Sequence, residues 1–164
     1  MQKQPFFTFA FAFFLLFLGL PKNATAQDTE KFCHKIGNYC FNYTPSLLTA
    51  TYGDMDIAYF KDSAGETILT TWLDEESEDY GTMENAFQNA VSEIENLGTE
   101  GDRFIDEDGK VYIVDGVVEN THYRMRMVVR KGGKQYIVFD LYCKIEDRKT
   151  YQDEFSRLMS SFKI

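Results

Sequence analysis

Histidine and cysteine are scarce. Two His in 164 residues exclude a multi-histidine metal cage, and three Cys exclude a dense disulfide scaffold. Basic residues are in deficit, with 17 Lys+Arg against 26 Asp+Glu and a formal charge of −9. A nucleic-acid or anionic-membrane binder needs the opposite sign of surface, so neither partner is expected. G-x-S-x-G, P-loop, H-E-x-x-H and dinucleotide-binding patterns are absent. No catalytic constellation and no cofactor are therefore expected. Internal repeats, low-complexity tracts and dividing linkers are also missing.

The longest apolar run, over 6–20, falls short of the roughly 20 residues that span a bilayer as a helix. Lys3 precedes it, Pro21 ends it, and Ala24-Thr25-Ala26 supplies small residues before Gln27. Residues 1–26 thus read as a secretory signal peptide, with 27–164 as a single exported domain, periplasmic or secreted, without stable membrane insertion after cleavage. Cleavage would take Lys3 and Lys22 and no acid, leaving a more acidic chain. The first Cys is Cys33, too far from the run for a lipid anchor.

Alternation at Tyr39, Phe41 and Tyr43 predicts a strand, preceded by a frayed stretch over 27–31. Two strand-like runs, 56–61 and 66–73, flank Asp62-Ser63-Ala64-Gly65, a hairpin signal. Met83, Ala86, Phe87, Ala90, Val91, Ile94 and Leu97 then form one helical stripe, with Thr82 as N-cap and Gly98 just past the end. Strands follow over 103–106, 110–114 with a break at Gly116, 121–130 and 134–145. Asp147 is the expected cap of a closing helix with Tyr151, Phe155, Leu158, Met159 and Phe162 on one face. The expected class is α+β, an antiparallel sheet flanked by helices.

A three-residue Lys131-Gly132-Gly133 loop keeps the apolar rows of the last two strands on one face. It pairs Met127 with Ile137, Met125 with Phe139 and Tyr123 with Leu141. Arg124 then faces Asp140, and His122 faces Tyr142, on the outer side. The 83–97 helix is expected on the Phe139 side, putting Phe87 and Phe139 in one core.

Export permits a Cys33–Cys40 disulfide across a reversal at Ile36-Gly37-Asn38; free thiols or pairing with Cys143 are the alternatives. Cys143 reads as a buried small hydrophobe, since His122 falls on the other face. Asp106-Glu107-Asp108-Gly109 resembles the start of a calcium loop, but Phe104 would occupy its first ligand position, so a hairpin turn fits better. The acid run over 74–79 reads as a solvated loop before a helix, with weak cation or basic-partner binding as the alternative. His122, Arg124, Arg126 and Tyr142 form the candidate partner surface; a solvated face with an Arg124–Asp140 pair is the plainer reading.

The order of elements resembles the PsbP-like α/β/α sandwich, whose members include exported bacterial proteins. The matching pieces are a first strand ending Tyr43-Thr44-Pro45, the strand pair, the 83–97 helix, the meander to Cys143 and a closing helix ending Ser160-Ser161-Phe162-Lys163. The resemblance implies a non-enzymatic protein that binds or helps assemble other proteins, and it carries over no functional residue. The expected function is an exported, soluble, non-enzymatic binding or assembly-accessory protein whose partner is another protein. A small secreted hydrolase using carboxylates and an acidic divalent-cation-binding module are the alternatives.

Overall fold

The computed structural model describes residues 28–53, 57–78, 81–97 and 102–164. The expected signal peptide and Gly98 lie outside these residues. The chain runs β1 (Glu30–Cys33), β2 (Cys40–Tyr43), β3 (Thr49–Tyr52), β4 (Ala58–Lys61), β5 (Thr67–Glu75), α1 (Met83–Leu97), β6 (Asp102–Ile105), β7 (Val111–Val118), β8 (His122–Gly132), β9 (Gln135–Lys144) and α2 (Arg148–Ser161). Seven strands form one sheet in the order β3-β4-β5-β9-β8-β7-β6, every neighbour antiparallel. β1 and β2 form a separate two-stranded ribbon. The α+β class stands, and the strand count rises. Glu30–Cys33 is strand rather than frayed chain, β3 is an addition, and β7 runs through Gly116 without a break.

The two faces of the sheet carry different layers. On one, α2 and the ribbon cover Phe139, Ile137, Leu141 and Leu69. Here Phe32 and Phe41 of the ribbon pack on Phe60 at 5.0 and 5.4 Å between ring centres. The closing Phe162 packs on Phe139 at 5.4 Å, and Lys163 exchanges two backbone hydrogen bonds with Cys40, each 2.9 Å. The Ser-Phe-Lys ending thus fastens the ribbon. On the other face, α1 lays Phe87, Ala90, Val91 and Ile94 over Val114 and Val118, while Met83 meets Val128, Tyr136 and Val138.

This arrangement corrects two expectations. Phe87 and Phe139 do not share a core; the sheet separates them. The even-numbered row of β8 and β9 is apolar at its Gly132 end, through Val128, Tyr136 and Val138, and that patch seats α1. The odd-numbered row received α2 and the ribbon. The register also shifts by two residues: Met127 pairs with Phe139, Met125 with Leu141 and Tyr123 with Cys143. Arg124 therefore lies opposite Tyr142, and His122 opposite Lys144. The strands turn at Gly133-Lys134, with Gly133 at φ 57°, and the register slips between Arg130 and Gly132. A bulge plus a two-residue turn preserves the same face parity as the expected loop while moving every partner along.

Cys33 and Cys40 sit directly opposite in the ribbon and are disulfide-bonded; Cys143 is buried and free. In the turn they close, the Gly37 amide donates to His34 Nδ1 at 2.8 Å, and His34 stacks on Tyr39 at 4.8 Å. A Cβ at Gly37 would fall 2.4 Å from the Tyr39 ring, so the turn requires glycine there. Replacing both cysteines by serine should cost about 2–3 kcal/mol, since the short loop gains conformational entropy when unfolded. Urea melts with an unchanged slope and an earlier midpoint would show it.

Candidate functional site

The even-numbered side chains of β8 and β9 change character along the strands. Beyond the apolar seat of α1 the row turns polar: Arg126, Arg124 and His122 on β8, Asp140 and Tyr142 on β9. Arg124 donates to both oxygens of Asp140, from Nε at 3.1 Å and Nη2 at 2.8 Å. Its Nη1 lies 2.7 Å from Glu93 of α1. Arg126 joins the same Asp140 oxygen through Nη2 and lies over the Trp72 ring at 5.9 Å. One half-buried carboxylate thus serves two guanidiniums, and a helix carboxylate balances the charge. Hydrogen bonding to Asp140 holds the Arg124 guanidinium above its ordinary value, so it stays charged.

The side chains of Arg124, Arg126 and Asp140 are only 17%, 14% and 15% exposed. Sequence reasoning expected an open outer face. Instead α1, seated by its apolar stripe on Val114 and Val118, lies along it and brings Glu93 to Arg124. His122 and Tyr142 stand beyond this network. Their rings stack at 4.8 Å and 7°, and Tyr142 is 38% exposed. Thr121 Oγ1 lies 2.9 Å from His122 Nδ1. With Glu66, Thr67, Ile68 and Lys144 they line an open hollow of about 260 Å³. The four predicted residues are therefore brought to one row, two as a charge lock under α1 and two as an accessible aromatic pair. Trp72 and Glu93 belong to the same cluster but come from β5 and α1, which no local pattern connects to β8.

The remaining sequence candidates have structural work. Asp106 Oδ1 accepts from the Val111 amide at 2.8 Å and the Lys110 amide at 2.5 Å, and Asp108 pairs with Lys110 Nζ at 2.8 Å. These contacts are those of a hairpin turn. Cys143 lies in the core opposite Tyr123, and burial pushes its thiol up to about 11, away from the reactive range.

The acid run is not a free loop over its described part; Asp79 lies outside the described residues. Asp74 and Glu75 end β5, and Glu76 Oε1 accepts from Arg130 Nη2 at 2.6 Å and from the Met83 amide at 3.1 Å. Glu76 thereby caps α1 alongside Thr82, whose Oγ1 accepts from the Asn85 amide at 3.2 Å. Arg130 and the Met83 amide hold the Glu76 carboxyl below its ordinary value. Its stabilisation is therefore present above the unfolded-state value and lost as pH falls through the lower folded-state value. Glu76→Gln should cost about 1 kcal/mol at neutral pH and almost nothing once wild-type Glu76 is protonated. Urea melts at a series of pH values would trace the closing gap.

No protein-family model and no curated protein matches the chain. Its fold does have a solved counterpart. The solution structure of cyanobacterial PsbP (CyanoP) from Synechocystis sp. PCC 6803 aligns with a TM-score of 0.57 at 16% identity, over 90% of this chain and 98% of that one. The antiparallel sheet with a helix on each face, closed by the C-terminal Ser-Phe-Lys, is a PsbP-like fold.

Proposed function

We propose that this chain is an exported, non-enzymatic accessory protein that binds another protein at the His122–Tyr142 end of the sheet. The observation that carries the reading is the stacked His122–Tyr142 pair, held at the open end of a charge-balanced Arg–Asp–Glu lock. A solvent-facing aromatic pair on a rigid strand floor offers contact area at little entropic cost. The PsbP-like fold supports a binding role, as the family resemblance implied. Export rests on the 1–26 pattern and accords with the Cys33–Cys40 disulfide.

A photo-crosslinking residue at position 142, compared with one at Lys149 on α2, tests the surface in the native envelope. Lys149 is 87% exposed, which makes it a fair control for random encounter. The expected result is a discrete adduct from 142 alone, lost with His122→Ala. Equal labelling from both positions would reject the surface. Turnover in a hydrolase screen, abolished by a carboxylate substitution, would reject the non-enzymatic reading. N-terminal sequencing of the exported protein should begin at Gln27.

A further inference from the structure

The sheet ends at β6, and both of its cores run out to that edge. On the α2 face, Phe139, Met127, Ile113 and Phe104 stand in register across β9, β8, β7 and β6. On the α1 face, Val138, Val128, Tyr112 and Ile105 do the same. Each row starts fully buried and ends in a large exposed side chain: Phe104 is 48% and Ile105 53% exposed. The opposite edge differs. β3 carries Thr49, Ala50, Thr51 and Tyr52, and the Tyr52 hydroxyl donates to the Cys33 carbonyl of the ribbon at 2.8 Å.

The backbone of β6 is ready for another strand. The Asp106 amide donates to the Val111 carbonyl at 3.0 Å, which fixes the hydrogen-bonded pairs of this ladder. By antiparallel alternation, Phe104 and Ile113 exchange bonds, while the N–H and C=O of Arg103 and Ile105 point away from β7. Among the described residues, no strand pairs with that outer side. From this geometry we infer that β6 is a strand-addition site for an extended segment of another protein that carries two adjacent apolar residues with lysine or arginine on either side.

Charge selects this occupant. Residues 102–110 hold Asp102, Asp106, Glu107 and Asp108 against Arg103 and Lys110. Arg103 is taken by Glu95 and Lys110 by Asp108, so the acids left to an incoming strand are Asp102, Asp106 and Glu107. A second copy fits poorly in the register centred on Phe104, where antiparallel self-pairing would set Asp102 opposite Asp106 of the other chain. The short, charged strand also resists indiscriminate pairing. A strand with two adjacent apolar residues instead extends both rows, through Phe104 on one face and Ile105 on the other, and its flanking bases meet Asp102 and Asp106. This surface is separate from the His122–Tyr142 end, so either can fail alone.

The test is an amide NMR titration of the protein with a synthetic peptide that flanks a pair of valines with lysines, and with its glutamate-flanked counterpart. The expected result is saturable binding of the basic peptide, with exchange protection appearing at the Arg103 and Ile105 amides. The acidic peptide should bind at least about tenfold more weakly. Ile105→Pro removes one outward N–H and leaves the β7-facing bonds in place; it should weaken binding about fivefold to tenfold. Should that variant not fold, Phe104→Ser tests the apolar row and should weaken binding comparably. Absence of saturable binding, equal binding of both peptides, or shifts centred away from β6 would overturn the inference. Self-association by light scattering, abolished by Ile105→Pro, would assign the edge to a second copy and overturn it too.

Discussion

Phe139→Ala should lower stability by about 3–5 kcal/mol. The ring is fully buried and meets Tyr39, Phe41, Phe155 and Phe162 at centre distances of 6.1, 6.0, 6.0 and 5.4 Å. Those neighbours come from β2, its preceding turn, α2 and the closing segment, so the cavity cannot collapse by moving one element. Phe87→Ala should cost a similar amount by emptying the other layer, where the ring packs on Tyr112 at 5.2 Å. The two sites share no partner. A double-mutant cycle built from the milder Phe→Leu changes, which keep enough stability to measure, should close within about 0.5 kcal/mol. Coupling well above that would mean one continuous core, and the two-layer packing would be wrong. Urea melts of the four proteins decide it.

That experiment addresses what the sequence left undecided. Side-chain period fixes which residues of β8 and β9 share a face, and both rows were legible in this way. Period does not say which helix covers which row. Phe139 with Met127 makes as good a floor as Val138 with Val128, and only the third dimension assigns α1 to the second. Register was hidden for a related reason: a bulge beside Arg130 changes partners by two without changing faces. The Arg124–Asp140 contact and the His122–Tyr142 stack survive as diagonal neighbours, which lie close enough for long and aromatic side chains to meet.

Other elements lacked any local signal. Thr49–Tyr52 alternates only Ala50 and Tyr52 with threonines and buries neither fully, and Glu30–Cys33 buries only Phe32; both are strands because the sheet edge and the ribbon partner supply their hydrogen bonds. The hairpin at Asp62 was legible because its chemistry is local: Asp62 Oδ1 accepts from the Ala64 and Glu66 amides, each at 2.9 Å, and Gly65 sits at φ 84°. At the candidate site, His122, Arg124, Arg126 and Tyr142 followed from parity. Glu93 and Trp72 did not, since each reaches the cluster from a remote segment. The strand-addition edge needed strand order, which no single segment encodes.

Glu154 is the charged residue that sequence reading passed over, and its loss should be among the most damaging single changes. It sits on the inner side of α2 at 2% exposure, among residues expected to be apolar. Its Oε1 accepts from the Thr44 amide at 2.6 Å and its Oε2 from Thr44 Oγ1 at 2.8 Å. Arg157 Nη1 donates both to Glu154 Oε2 at 2.8 Å and to Thr44 Oγ1 at 2.7 Å. Thr44 is itself fully buried, at the point where the chain leaves β2 before Pro45. The carboxylate therefore completes a buried backbone donor that the sheet leaves unpaired, and it ties the ribbon to α2. Glu154→Ala strips the partner from that donor and from Arg157, and should cost about 3–5 kcal/mol. Glu154→Gln keeps one acceptor oxygen but sets its NH₂ against a donor, so a loss of about 2 kcal/mol is expected. Thr44→Val removes only the hydroxyl and should cost about 1 kcal/mol. Combining Thr44→Val with Glu154→Ala should cost less than the sum, because the second change finds part of the network already gone. Moderate salt should leave these differences nearly intact, since a buried pair is poorly screened. If Glu154→Ala lost less than about 1 kcal/mol, as surface changes do, the carboxylate would not be joining ribbon and helix in solution.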